Sequence, residues 1–153
     1  MMLLVDTNGL LRTVQPASHH HSIAISSLER VESQGVELCV VPQVIYEFWG
    51  AATRPVEANG LGMDAVQAER SIEAFAEEFR LLRDERGIYT RWRELVLTHA
   101  VQGKPAHDAR LVAAMLRHGV THLLTFNTVD FKRFTDIVAI SPEDVVAGRV
   151  TLP

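Results

Sequence analysis

One cysteine among 153 residues leaves no material for an intrachain disulfide or a cysteine-based zinc site. Cys39 stands in the apolar run Leu38-Cys39-Val40-Val41 and reads as a small buried hydrophobe. Long hydrophobic runs are missing as well. Nothing approaches the roughly 18 to 20 apolar residues that a membrane span requires, and the apolar start Met1 to Val5 has no basic segment and is cut short by Asp6. A soluble, cytoplasmic protein with no membrane attachment is expected. Basic excess is also lacking: 15 Lys and Arg face 19 Asp and Glu, a formal charge of -4. That balance argues against holding nucleic acid by counterion release over a broad basic patch. It leaves a nuclease open, because acidic residues that hold divalent metals can present phosphate to the bound ions. There is no G-x-S-x-G, G-x-G-x-x-G or Walker A sequence, so hydrolase-elbow and nucleotide-cofactor readings have no support.

What is present is enough for one domain with a real core, spanning 1-153: 47% of the residues are apolar and 22% charged. Short continuously apolar runs at Met2–Val5, Leu38–Val41, Leu123–Thr125 and Ile137–Ile140 read as buried strands, with a further short strand or a helix continuation at Phe79–Leu82. The first strand stops at Asp6-Thr7-Asn8-Gly9, read as a polar turn. Between the strands, helical spacing predicts a helix from Ser22 to about Ser33 and another opened by Pro42, with Val44, Glu47, Phe48 and Ala51 on one stripe. Asp64 caps a helix to about Glu78 supported by Val66, Ile72, Phe75 and Phe79. Trp92, Leu95, Val96 and His99 mark one ending near Gly103, and Pro105 opens the last, stopped by Gly119. Thr53 to Gly62 reads as a loop. Strands alternating with helices imply an α/β fold with a parallel sheet covered on both faces, whose site lies at the C-terminal strand ends.

Four carboxylates fall near that rim: Asp6 after the first strand, Glu47 on the helix after the second, Asp108 at the start of a later helix, and Asp130 after Leu123–Thr125. Taken singly, Asp6 reads as a turn or helix cap and Asp108 as a complement to the helix macrodipole. Asp130 reads as a surface turn residue and Glu47 as a half-buried acid with an arginine partner. Together they are harder to explain that way. Glu47 and Asp108 share faces with apolar residues, and clustered, desolvated carboxylates repel one another unless a cation stands among them. Mg²⁺ or Mn²⁺ suits such a set, since hard cations take oxygen ligands and keep waters able to attack a phosphodiester.

Val5-Asp6-Thr7-Asn8, Glu47 after Pro42, the run His107 to Ala114, and Leu124 to Phe131 together resemble the ordered motifs of PIN-domain nucleases, most closely the VapC-type toxins of toxin-antitoxin pairs. The resemblance covers nearly the whole chain and is weakest between Arg54 and Gly103. It implies a three-layer α/β/α PIN-like fold with a short central parallel sheet, and Mg²⁺- or Mn²⁺-dependent endoribonuclease activity on RNA. Asp6, Glu47 and Asp108 match the three core acids of the family and Asp130 a more variable fourth, all as metal ligands. Thr7, Asn8 and Asn127 match supporting polar positions. A small antitoxin and a homodimer are the implied partners, with Phe48, Trp49 and the Ala65–Phe79 helix as candidate interface surfaces. A PIN-domain RNA-processing nuclease without an antitoxin, and a catalytically silent PIN-like RNA-binding module, are the alternatives.

Arg12, Arg54, Arg110, Lys132 and Arg133 lie near the acidic motifs and are candidate contacts to RNA phosphates, or else solvated side chains with surface partners. Trp49, Phe48 and Trp92 are candidates for base stacking, or core. His19-His20-His21 reads as a solvated run before a helix, because three successive histidines cannot all face one ion. His107 reads as a structural or substrate contact beside Asp108.

Overall fold

Each apolar run becomes one strand of a single sheet. The computed structural model describes residues 1–153. In chain order the elements are β1 (Met2–Val5), α1 (Thr7–Thr13), α2 (His21–Ser33), β2 (Glu37–Val40), α3 (Pro42–Thr53), α4 (Ala65–Glu78) and β3 (Arg80–Leu81). After them come α5 (Arg86–Thr98), α6 (Pro105–His118), β4 (His122–Leu124), β5 (Val138–Ile140) and α7 (Pro142–Val146). Single 3-10 turns occur at Val56–Ala58 and Thr128–Phe131. The strand order is β3-β2-β1-β4-β5, with every pair parallel.

Parallel strands need crossover connections, and the helices that supply them cover both faces. The steps β1 to β2 and β2 to β3 run one way along the sheet and carry α1 to α4; the return from β3 to β4 carries α5 and α6. Right-handed crossovers put those two groups on opposite faces. Their packing agrees: α1 touches α2 and α3, α3 touches α4, and α5 packs along α6. The central strands are buried on both sides, with Leu3, Leu4, Val5, Cys39 and Leu123 at 0% exposure. Burial pushes the Cys39 thiol up to about 12, so it is an inert core group.

Local signals set the boundaries. Pro42 and Pro105 occupy first-turn positions where a missing N–H costs nothing. Asp64 caps α4 in a reciprocal box: its Oδ1 accepts from Gln67 N at 2.8 Å and its own N–H donates to Gln67 Oε1 at 2.9 Å. Gly119 ends α6 at φ 71°, a left-handed conformation that a side chain would oppose.

Several expectations need correction. The polar turn after β1 is the first turn of α1, and α7 has no counterpart among the expected elements. Phe79–Leu82 holds a strand, but only Arg80–Leu81, at the sheet edge. α5 stops at Thr98 rather than near Gly103, and Ala100 turns the chain at φ 48°. Val66 is exposed and does not support α4 from the core. On α3 the buried stripe is Val44, Phe48 and Ala52; Glu47 lies beside it, exposed. No helix is long and apolar enough to cross a membrane.

Candidate active site

Strand order reverses between β1 and β4, the switch point at which open parallel sheets bind ligands. The register pairs Val5 with Leu124, so the next residues, Asp6 and Thr125, emerge side by side at the C-terminal edge. Asp6 caps α1, with Oδ1 accepting from Thr7 N at 2.8 Å. Its Oδ2 accepts from Thr125 Oγ1 at 2.7 Å and from Asn8 Nδ2 at 3.3 Å. Asn8 also donates to Thr125 Oγ1 at 3.1 Å and accepts from Phe126 N at 3.1 Å, which ties the two strand ends together.

Glu47 enters from α3. Its Oε2 accepts from Thr7 Oγ1 at 2.6 Å and its Oε1 from Gln43 Nε2 at 3.0 Å, so both oxygens are oriented by side chains and not by an arginine. Asp108 stands half-buried in the first turn of α6, and Asp130 lies exposed on the 3-10 turn after β4. Glu47, His107, Asp108, Asn127 and Asp130 line one cleft of about 700 Å³, with Lys104 and Arg133 on its wall. Asp6 is 8% exposed. Only Asp6 is deeply buried, so the expectation that Glu47 is a buried acid on an apolar face does not hold.

The charges feel one another. Desolvation raises the Asp6 carboxyl above its ordinary range, against the lowering effect of the Thr125 and Thr7 hydrogen bonds, and Glu47 and Asp130 add to the rise. Asp108 is pushed up to about 6 by desolvation first and then by Asp6, Asp130 and Glu47, with His107 opposing. None of the four carboxylates takes part in an ion pair of the chain.

A raised carboxyl binds its proton more tightly in the folded state, so the stability cost of Asp108 is present above about pH 6 and disappears as pH falls toward its ordinary value of 3.8. The lowered Glu85 and Asp144 stay ionised between pH 7 and 5, whereas the lowered His122 opposes folding as it protonates below 6.5. A difference measurement isolates Asp108. Without divalent metal, Asp108→Asn should melt higher than wild type at pH 7, and the gap should narrow between pH 7 and pH 5 and close only toward 3.8; a gap independent of pH refutes the raised carboxyl.

Among the basic residues singled out from the sequence, Arg133 reaches the cleft. Arg110 is engaged: Nη1 donates to Gln43 Oε1 at 3.1 Å and Nη2 pairs with Asp84 at 3.2 Å. Lys132 lines a separate hollow with Phe131 and Asp144, and Arg12 and Arg54 line another groove. Phe48 is fully buried, so it neither stacks on bases nor serves an interface. Trp92 is half-buried, its Nε1 donating to Ala106 O at 2.8 Å. The histidine run is not simply solvated: His21 Nδ1 lies 2.9 Å from Arg12 O, and His20 packs on Phe126.

No family model and no curated protein matches the sequence. Solved structures do match the fold. VapBC-1 from nontypeable Haemophilus influenzae aligns with TM-score 0.68 at 20% identity, over 94% of this chain and 99% of that one. VapBC2 from Rickettsia felis, bound to a DNA fragment from their promoter, aligns with TM-score 0.67 at 13% identity, over 92% and 98%. The fold is the PIN-like fold of VapC toxins. VapC20 from Mycobacterium tuberculosis, a toxin that cleaves the sarcin-ricin loop, aligns with TM-score 0.58 at 15% identity, over 79% of this chain and 86% of that one.

Within this PIN-like frame, Gln43, Thr125 and Lys104 are site residues that sequence reasoning missed. Gln43, 8% exposed, donates to Glu47 Oε1 and, at 2.8 Å, to the His107 carbonyl, while accepting from Arg110. It joins α3 to the start of α6. The cleft's donors are carboxylate and amide oxygens, the chemistry that suits Mg²⁺ or Mn²⁺. No three acidic or histidine side chains stand close enough to hold one ion unaided. Water or substrate oxygens would have to complete the coordination of an ion there.

Proposed function

We propose that this chain is a metal-dependent endoribonuclease and the toxin of a type II toxin-antitoxin pair. The observation that carries the reading is the convergence of Asp6, Glu47, Asp108 and Asp130, none with a cationic partner in the chain, at the switch point of a PIN-like sheet. Asp6, Glu47 and Asp108 would hold Mg²⁺ or Mn²⁺, with Asp130 and Asn127 at the margin. When bound, the ion supplies Lewis acidity toward the phosphodiester and makes a water easier to ionise.

The chain's own contribution is positioning. Thr7, Asn8 and Thr125 direct the Asp6 oxygens, and Thr7 and Gln43 direct those of Glu47, so the carboxylates do not reorganise when substrate arrives. Lys104 and Arg133 on the cleft wall attract the RNA backbone past a strongly negative centre. Hydrolysis forms a bond from a water oxygen to phosphorus and breaks one bond from phosphorus to a backbone oxygen.

Purified protein should cleave RNA with Mg²⁺ or Mn²⁺, lose cleavage in EDTA and recover it when the cation is restored. Full activity in chelator-treated, metal-free buffer would falsify the metal reading. The structural neighbours include VapBC complexes, which favours a small antitoxin that covers the acidic cleft. Expression of the chain alone should arrest growth, and co-expression of such a partner should restore it. Unrestricted growth with abundant active enzyme would favour an RNA-processing nuclease instead. A homodimer through the exposed Trp49 and the α4 surface around Val66 belongs to the same proposal.

A further inference from the structure

A second groove, lined by two arginines and separate from the acidic cleft, lies along α1 and α3. Thr7 and Glu47 bridge the two helices at 2.6 Å. One turn further, Leu11 and Ala51 line the groove, and Arg12, Gln15 and Arg54 line it beyond them. The matching offset of about 40 residues shows the two helices running side by side away from the carboxylates, at about 1.5 Å per residue. Arg12 therefore stands roughly 7 Å, and Arg54 roughly 10 Å, along the helices from the Thr7–Glu47 bridge. The groove holds about 560 Å³ and has Leu61 and Asn59 on its far wall. That wall is held to α3 by backbone hydrogen bonds from Leu61 to Ala51 and from Gly62 to Arg54, so the groove is built in advance.

Its electrostatics are unusual for a chain with more acids than bases. No carboxylate lines the groove, and neither Arg12 nor Arg54 takes part in an ion pair. Arg12 Nη1 donates to Gln15 Oε1 at 2.7 Å, but its Nε is buried with no acceptor anywhere in the chain. A buried guanidinium N–H without an acceptor is costly unless an anion satisfies it.

We propose that this groove is a backbone-phosphate subsite for single-stranded RNA. It engages the strand beside the scissile position, with Arg12 and Arg54 on the phosphate and the Gln15 and Asn59 amides facing the nucleotide. The proposal rests on the ribonuclease reading above. It explains how an acidic cleft retains a polyanion: Lys104 and Arg133 attract it at the carboxylates, and the arginine pair holds it along α1 and α3. Guanidinium forks suit phosphate oxygens better than ammonium groups do. An acidic segment of a protein partner is the competing occupant.

The test uses the full chain carrying Asp6→Asn, so that RNA is bound without being cut, and follows fluorescence anisotropy of a labelled single-stranded oligoribonucleotide against salt. Every phosphate that the protein ceases to neutralise should reduce the slope of log Kobs on log salt by about 0.7. Arg54→Gln should therefore lower the slope by about 0.7, and Arg12→Gln with Arg54→Gln by about 1.4. Arg54→Lys should keep it, and Arg30→Gln on α2 should leave it unchanged. Arg54 is exposed, so its variant is readable even if Arg12→Gln unfolds the chain. An unchanged slope in folded Arg54→Gln overturns the subsite while leaving the ribonuclease reading intact. Weaker binding of an antitoxin with RNA affinity unaltered assigns the groove to protein and overturns it too. No RNA binding by the Asp6→Asn protein overturns the subsite, whose residues the substitution leaves in place, while cleavage by wild type with Mg²⁺ or Mn²⁺ and its loss in EDTA decide the ribonuclease reading separately.

Discussion

Asp6→Asn should give a folded protein that no longer cleaves RNA. The amide keeps the shape of the carboxylate and its oxygen still accepts from Thr7 N–H, while Thr125 Oγ1, which already accepts from Asn8 and Asn127, loses the acceptor for its own hydroxyl. What disappears is the anionic oxygen that a hard cation prefers. Removing partners that merely orient metal ligands costs about 10- to 100-fold, so loss of a ligand should exceed about 100-fold. Because burial already raises the Asp6 carboxyl, the neutral variant should melt at or above wild type in metal-free buffer. Glu47→Gln and Asp108→Asn should behave alike in activity, whereas exposed Asp130 should tolerate Asn with a smaller loss. Melting, Mn²⁺ affinity and cleavage measured on all four separate the alternatives. Wild-type cleavage by folded Asp6→Asn would remove the site, while a lower melting temperature with retained activity would mark a structural acid.

Gln43→Met should damage both stability and activity, a combination that no carboxylate variant should show. The thioether fills a similar volume but satisfies none of the three groups that the amide serves. Glu47 Oε1 and the His107 carbonyl each lose a donor, and Arg110 loses an acceptor. Glu47 and His107 are exposed enough for water to replace the lost partner, so the change should cost about 0.5–1.5 kcal/mol per bond, visible as a lower denaturation midpoint. Freed from one of its two restraints, Glu47 should hold metal less well, and cleavage should fall about 10- to 100-fold. Gln43→Glu is the discriminating control: it keeps the size and the acceptor for Arg110 but turns the donor into an acceptor facing Glu47. It should lose cleavage as well, whereas near-normal activity in either variant would show that Glu47 needs no support from α3.

The strands and most helices were legible because their signals are local. A continuous apolar run, a proline at a helix start and an Asp64–Gln67 box each act within a few residues. α1 was not legible, since Asn8-Gly9 carries the composition of a turn. Gly9 serves another purpose: a Cβ there would lie 3.1 Å from Val5 Cγ1, so glycine lets α1 fold tightly back on β1. α7, five residues long, is too short to show a period. In the site, the four acids could be found by residue type and by their position after strands or at helix starts. Burial on an apolar stripe was the wrong reason to single out Glu47, because it lies on an exposed flank and takes its orientation from Thr7 and Gln43. Thr125 and Gln43 could not be read from the chain at all. Thr125 matters because strand register puts it beside Asp6, and Gln43 because α6 happens to present a carbonyl to it; neither fact has a local signature.

The pairing of β1 with β4 also imposes a schedule. Asp6 and the hydroxyl that orients it are 119 residues apart, and everything between them must be made before the bond can form. At about 5–20 residues per second, that interval is on the order of ten seconds of translation. Non-local pairing of parallel strands then adds its own closure cost before the edge is complete. A nascent chain therefore carries its first acid for most of its synthesis without a working centre around it, and acquires one only when the strand bearing Thr125 docks. For the ribonuclease proposed above, this order of assembly would keep the growing polypeptide harmless to the message and ribosome producing it.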